Sequence, residues 1–287
     1  MTGILLAILV AITWSIGEIN YSKISKKYDR ANVYLYSFFI RAIIYIGVVI
    51  FFQFHLIGTF NQAIFSSTLP IIVCDLLASL AINMAVTNGK LSIVSPIMAA
   101  YPMVDIILGT LLLQEKTSPL EIALVTIISI SIVILAIHPE AGEKAIHPKK
   151  GILFSVLYML LAAFSIYFEK IIYNSNYTVY HLYYYKGLVY VFASLFFGLV
   201  IATTSSKLKK PTADIVKGCS ITPVGNIIDS FALSAENVSI VTPISSLYAV
   251  ITHFISRFYL KEKVTLKEKI CIGVIMISTI TLILLKI

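Results

Sequence analysis

Three aspartates, Asp75, Asp105 and Asp229, stand deep inside long apolar runs, in the company of Arg41, Lys186 and His253. Glu18 and Glu169 lie nearer the ends of their runs. A charge at bilayer depth costs roughly 2.5–3.5 kcal/mol on insertion scales, so such residues face protein or water rather than lipid. Asp75, Ser79 and Asn83 follow one another at i, i+4 and i+8, which puts them in one polar stripe on a helix. Thr222, Asn226 and Asp229 or Ser230 form a second stripe. Two stripes facing a common interior would line a polar cavity. Alternatively, the same side chains would hydrogen-bond helices to one another and line nothing. The carboxylate in each stripe favours the cavity. Burial disfavours the charged form of a carboxylate, so Asp75 or Asp229, with Glu18 as a third candidate, would exchange a proton as the cavity changes sides.

Arg41 and Lys186 occupy matched places in two helices, and each either neutralises a neighbouring Asp or binds a carboxylate on a substrate. His253 reads as a hydrogen-bonded core histidine. Trp14, Tyr101 and Tyr248 lie deep, and an aromatic wall beside carboxylates suits a cationic or zwitterionic amine. The run HLYYYKG (181–187) reads for the most part as an interfacial aromatic belt. The expected substrate-binding set is Trp14, Asp75, Ser79, Asn83, Tyr101, Asn226, Asp229 and Tyr248. There is no H-E-x-x-H, no paired aspartate motif and no His/Cys cluster, so no catalytic residue, metal ligand or cofactor is expected. Cys74, Cys219 and Cys271 sit within or beside apolar runs and read as small buried hydrophobes.

The elements that must hold these residues are membrane helices. Of 287 residues, 59% are hydrophobic and 13% charged, with mean hydropathy +0.93; a soluble domain carries ~25% charged residues. Too little charge is present to cover a globule, so lipid is the solvent. The net charge of +8 sits in short gaps between apolar runs, where it orients a membrane protein, and nucleic acid is not an expected partner. A span needs ~20 apolar residues. Ten segments qualify, at roughly 3–21, 32–54, 67–87, 92–113, 118–138, 150–173, 178–203, 213–233, 238–260 and 266–286. The opening MTGILLAILVAITW has no basic n-region or cleavage site and reads as the first span.

The two halves repeat one another. LSIVSPI (91–97) recurs as VSIVTPI (238–244), an offset of 147 (243 − 96). In that register Ala85 meets Ala232, Tyr101 meets Tyr248, Glu115-Lys116 meets Glu262-Lys263, and Glu121 meets Glu268. Earlier, Gly3-Ile4-Leu5 meets Gly151-Ile152-Leu153, and Arg41 meets Lys186 after small gaps. The chain divides into a first five-helix repeat (1–138), a linker (139–149) and a second repeat (150–287). Five is odd, so the second copy enters the membrane from the opposite side. The expected fold is therefore an all-α integral membrane protein with ten transmembrane helices in two inverted five-helix repeats. That architecture is typical of transporters with a site at the repeat interface. Pro96 and Pro243 kink matched helices and act either as hinges or as static bends. Most lysines, among them Lys23, Lys26, Lys27, Lys207, Lys209 and Lys210, lie on the side reached after the first helix, against Lys116, Lys170 and Lys286 on the other. The charge rule makes the basic loops cytoplasmic and puts both termini outside.

Ten helices, a duplicated five-helix unit, Trp14 late in the first helix, Pro96 and Pro243 in matched helices, and the helix ends LLLQEK and YLKEK resemble the drug/metabolite transporter superfamily, specifically its EamA-like members. The resemblance covers the whole chain. It implies a secondary carrier that alternates access to a central cavity, moving amino acids, amines, nucleotide sugars or other metabolites, often with proton coupling or as an exporter. Spans one, three, four, six, eight and nine would surround the cavity, with five and ten peripheral. Two features depart from the pattern. Related four-helix exporters place a carboxylate near where Trp14-Ser15 stands here, and Glu18 comes about one turn later. Family members commonly have cytoplasmic termini, the reverse of the charge rule.

The combination points to a transporter of a small polar, zwitterionic or cationic metabolite, amino-acid- or amine-like, with export favoured, in the cell (inner) membrane of a bacterium or archaeon. Its expected partners are a small-molecule substrate and the lipid bilayer; nothing in the sequence assigns an oligomeric state. The alternatives are a non-transporting scaffold or sensory subunit, whose repeat interface would be filled, and an intramembrane enzyme.

Overall fold

The computed structural model describes residues 2–89, 91–136, 147–175, 177–204, 208, 210–260 and 266–285, without the side chains of Ser92, Glu268, 135–136 and 256–260. Most of the expected linker and the Glu262-Lys263 pair lie outside the described residues. Apart from one short 3-10 turn, Phe54–Leu56, the described elements are α-helices. They run α1 (Thr2–Lys27), α2 (Arg30–Gln53), α3 (Gln62–Asn88), α4 (Leu91–Met98), α5 (Pro102–Leu111), α6 (Pro119–Ala136), α7 (Pro148–Asn174), α8 (Val179–Thr203), α9 (Ala213–Ala235), α10 (Val238–Ser245), α11 (Tyr248–Leu260) and α12 (Leu266–Leu284). Helices α4 and α5 form one broken span, as do α10 and α11, so the chain has ten membrane helices in two repeats.

Short polar residues start these helices where the sequence changes from loop to apolar run. The side chain of Asp29 accepts from the Ala31 N–H, that of Asn61 from Ala63 and Ile64, and that of Thr212 from Ile215. At α6, the Ser118 N–H donates to the Glu121 carboxylate and the Glu121 N–H donates to the Ser118 hydroxyl, a reciprocal capping box. Among the described residues, seven spans are long and apolar enough to cross a membrane by length and composition, with shorter apolar stretches in α6 and α12. Helix α9 is not among them, because it carries Lys217, Thr222, Asn226, Asp229 and Ser230. The polar residues that lower its hydropathy include four that line the interior site, Thr222, Asn226, Asp229 and Ser230.

The contacts follow the repeat. Helix α1 packs along α9, and its counterpart α7 packs along α3; α2 packs on α8, and α6 on α12. Exchanging the halves exchanges these pairs, as two inverted copies require. Specific contacts agree. Gly3, at the start of α1, meets Glu236 just beyond α9, and Lys170, near the end of α7, donates to the backbone carbonyls of Leu233 and Glu236. The start of α1 and the end of α7 thus lie at the same face. At the opposite face Gly151, at the start of α7, meets the turn after α3 so closely that a methyl group on it would come within 2.8 Å of the Gly89 nitrogen. Only glycine fits there.

The matched prolines lie inside α4 and α10, and each helix breaks three residues further on, at Ala99 and at Ser246. Both breaks tighten into short turns, with Ala100 N–H donating to Ile97 and Leu247 N–H to Ile244. In the first half, Pro102 begins α5, where its missing N–H falls in the first turn, and Tyr101 before it keeps helical backbone (φ −53, ψ −28). In the second, Ser246 bonds the Pro243 carbonyl at 2.8 Å. These spans are therefore interrupted rather than smoothly kinked.

One expectation needs correction. Tyr183, Tyr184 and Tyr185 are buried, not an interfacial belt. The Tyr184 hydroxyl accepts from the Gly58 N–H, and the Tyr185 hydroxyl accepts from the Asn61 N–H and donates to the Asn61 carbonyl. These two rings anchor the α2–α3 connection to α8. Lipid-facing aromatics lie elsewhere, as at Phe51 (80% exposed) and Phe192 (69%).

Candidate functional site

Between the halves lies a cavity of two adjoining lobes. The larger holds about 100 Å3 and the smaller about 40 Å3, against the roughly 10–15 Å3 that one water needs. Trp14, Arg41, Ile82, Tyr158, Thr222 and Asn226 line both. The larger adds Asp75, Ser79, Ser165, Glu169, Tyr183, Lys186, Asp229 and Ser230; the smaller adds Glu18, Tyr21 and Tyr248.

Each functional side chain is held from another helix. Lys186 of α8 pairs with Asp75 of α3 at 2.7 Å and lies 3.9 Å from Glu169 of α7. Its ammonium also sits 5.2 Å from the Tyr183 ring centre. Ser165 donates to Asp75 at 2.6 Å. Glu169 accepts from Tyr173 at 2.6 Å and from Ser230, whose hydroxyl also bonds Tyr183. Arg41 of α2 donates to Ser79 and lies over Tyr190 at 5.9 Å, and it has no carboxylate in salt-bridge contact among the described residues. Asp229 accepts from Ser245 of α10 at 2.9 Å and likewise makes no salt bridge among the described residues. Trp14 donates from its indole to Asn226 at 2.9 Å, while Asn226 donates to Tyr45 at 3.1 Å. Gly225 makes room for that indole, since a methyl group there would stand 2.5 Å from the ring. Trp14 meets Tyr248 edge to face, with centroids 5.8 Å apart.

Of the expected binding set, Trp14, Asp75, Ser79, Asn226 and Asp229 line the larger lobe, and Tyr248 lines the smaller with Glu18. Two residues do not join them. Asn83 is fully buried against α1, where it donates to Ser25 at 3.1 Å and to Tyr21 at 3.5 Å. One turn beyond Ser79, the stripe has passed from the cavity to the α1–α3 contact. Tyr101 donates to the Thr242 carbonyl at 3.4 Å in the break between α4 and α5. Asp105 is fully buried on α5 and lines neither lobe. His253 is buried on α11.

The expected set omits Tyr158, Ser165 and Glu169 of α7, which stand at i, i+7 and i+11 around Ala162 and make a third polar stripe. That spacing was the available signal. Arg41 and Lys186 also reach the cavity, so α2 and α8 help build it alongside α1, α3, α7, α9 and α11. Among the described residues no group of His, Cys, Asp and Glu is arranged to hold a metal ion.

At the face where α9 turns into α10, the Glu115 carboxylate accepts from the N–H groups of Val238 and Ser239, at 2.9 and 3.2 Å. Lys170 holds the two carbonyls just before that turn, each at 2.8 Å. Gln114, at φ 55, adopts left-handed backbone immediately before Glu115. Charged side chains from both halves thus clamp one turn.

Residues 1–137 and 149–284 each match the EamA-like transporter family. No curated protein matches the sequence. One solved crystal structure is similar in fold, with a TM-score of 0.74 over 99% of each chain at 12% identity.

Proposed function

The chain belongs to the EamA-like transporter family and is an integral membrane transporter, and on that premise we propose that it carries a small zwitterionic metabolite, amino-acid-like, by alternating access through the two-lobed cavity. One observation carries this reading: the cavity is lined by a cation, Arg41, and by two carboxylates, Glu18 and Asp229, that make no salt bridge among the described residues. Lys186, by contrast, is already compensated by Asp75 and Glu169. A zwitterion brings one charge of each sign: its carboxylate would balance Arg41 and its ammonium one of the two carboxylates, the other remaining to hold a proton. A guanidinium receives a carboxylate through two parallel N–H bonds, which suits Arg41 to the acidic end. The open space at the repeat interface supports a carrier over a scaffold or sensory subunit.

Movement would come from the interrupted spans. The α9–α10 turn, clamped by Glu115 and Lys170, closes one end, and its release would open the cavity there. Asp229, on the helix joined to that turn and bonded to Ser245 of α10, is the carboxylate placed to couple a proton to the change. Proton coupling by Asp229 in the direction of export completes the reading.

Purified protein in liposomes, given labelled neutral amino acids and an imposed pH gradient, tests it. The gradient is expected to drive accumulation by the wild type, while Asp229→Asn exchanges substrate across the membrane but does not accumulate it. Uptake indifferent to the gradient would remove the proton from the mechanism. An absence of flux for every labelled compound would remove the zwitterion.

A further inference from the structure

We propose that the aromatic lobe around Glu18 is a receptor for a primary ammonium group. It deepens the carrier reading and rests on it for the identity of the molecule that bears the ammonium. The lobe's walls are the rings of Trp14, Tyr21, Tyr158 and Tyr248, and Glu18 is its carboxylate. At about 40 Å3 it has room for the head of a metabolite rather than the whole. Ser95 of α4 and Thr252 of α11 both donate to Oε2 of Glu18, at 2.6 and 3.1 Å, so the carboxylate is oriented from both halves of the protein. Its Oε1 has no hydrogen-bond partner among the described residues, although Glu18 is only 5% exposed.

A buried acceptor without a donor is costly, and a ligand that supplies an N–H removes that cost. A cation fits better than a neutral donor. Aromatic faces attract positive charge, and a carboxylate takes its strongest bonds from charged donors. A primary ammonium brings both the charge and the N–H; a quaternary ammonium brings only the charge. Arg41 stands in the wall shared by the two lobes. A zwitterion lying across that wall would point its ammonium to Glu18 and its carboxylate to Arg41.

Trp14 is the only tryptophan and lines the lobe, so its emission reports on this site. Ethylammonium chloride is titrated into the purified full-length protein, with sodium chloride holding the ionic strength constant. A saturable change in Trp14 emission is expected, weakened about tenfold or more in Glu18→Gln. Tetramethylammonium is expected to bind more weakly than ethylammonium. If Glu18→Gln does not fold, Tyr248→Leu removes one ring and should weaken ethylammonium by about threefold. The proposal is overturned if the wild type shows no saturable change, if Glu18→Gln binds equally well, if Asp229→Asn rather than Glu18→Gln abolishes binding, or if sodium alone reproduces the change. These are binding measurements, so they separate the two claims. Ethylammonium binding at Glu18 without flux keeps the receptor and ends the carrier reading; flux without such binding does the reverse.

Discussion

Arg41 and Lys186 hold the same place in the two repeats, on α2 and α8, which pack against each other, yet they meet different surroundings. Lys186 faces Asp75 at 2.7 Å and Glu169 at 3.9 Å. Arg41 faces a serine hydroxyl and a tyrosine ring. The helix opposite each cation accounts for the difference. In the repeat register Asp75 corresponds to Thr222 (75 + 147), and Ser79 corresponds to Asn226 (79 + 147). The polar stripe on α3 carries its carboxylate where α9 carries a threonine. An inverted repeat supplies two equivalent cations at the interface, and substituting the facing helix decides which is spent on architecture and which stays available. Lys186 is the structural one, and Arg41 is the one proposed to meet substrate.

The largest effect should come from breaking the compensated side. Lys186→Met leaves Asp75 and Glu169 without their cation, and losing one partner of a buried pair costs about 3–5 kcal/mol. Denaturation in detergent should show that loss, and adding Asp75→Asn should recover much of it. If Lys186→Met is as stable as the wild type, the two cations are equivalent after all and the contrast fails. A smaller effect is expected at Asn83, on the same helix as the partners of both cations. Asn83→Ala removes its bond to Ser25 and should cost about 1 kcal/mol with transport unchanged; a loss of transport without a loss of stability would return Asn83 to the cavity wall. The smallest stability change belongs to Arg41→Gln, at under about 1 kcal/mol, since no carboxylate among the described residues is salt-bridged to it. A destabilisation matching that of Lys186→Met would mean that Arg41 has a structural partner of equal weight.

Much of this architecture is legible in the sequence. Ten apolar runs, the 147-residue register and the odd helix count lead directly to two inverted halves. The inward facing of Asp75, Ser79, Asn226 and Asp229 is legible too, because a polar stripe in an apolar helix has few places to go. Elsewhere facing is harder to read. In a soluble helix polarity marks the outside, but here lipid and core are both apolar, so Tyr183, Tyr184 and Tyr185 give no sign that they point inward to the cavity and to the α2–α3 connection. Asn83 follows the stripe in spacing yet bonds to α1, because polar side chains serve equally as lining and as helix-to-helix bonds. The breaks at Ala99 and Ser246 lie beyond their prolines, where backbone turns and neighbouring side chains set the geometry.

The asymmetry between the two cations is tested most directly by substrate discrimination in liposomes. A transported amino acid and its decarboxylated amine are compared in the wild type and in Arg41→Gln. The wild type is expected to prefer the amino acid by about tenfold or more, the scale of one bidentate charge-assisted contact. Arg41→Gln should lose that preference while still moving the amine. Equal loss of both substrates, or a preference that survives the substitution, would contradict the assignment of Arg41 to the substrate carboxylate.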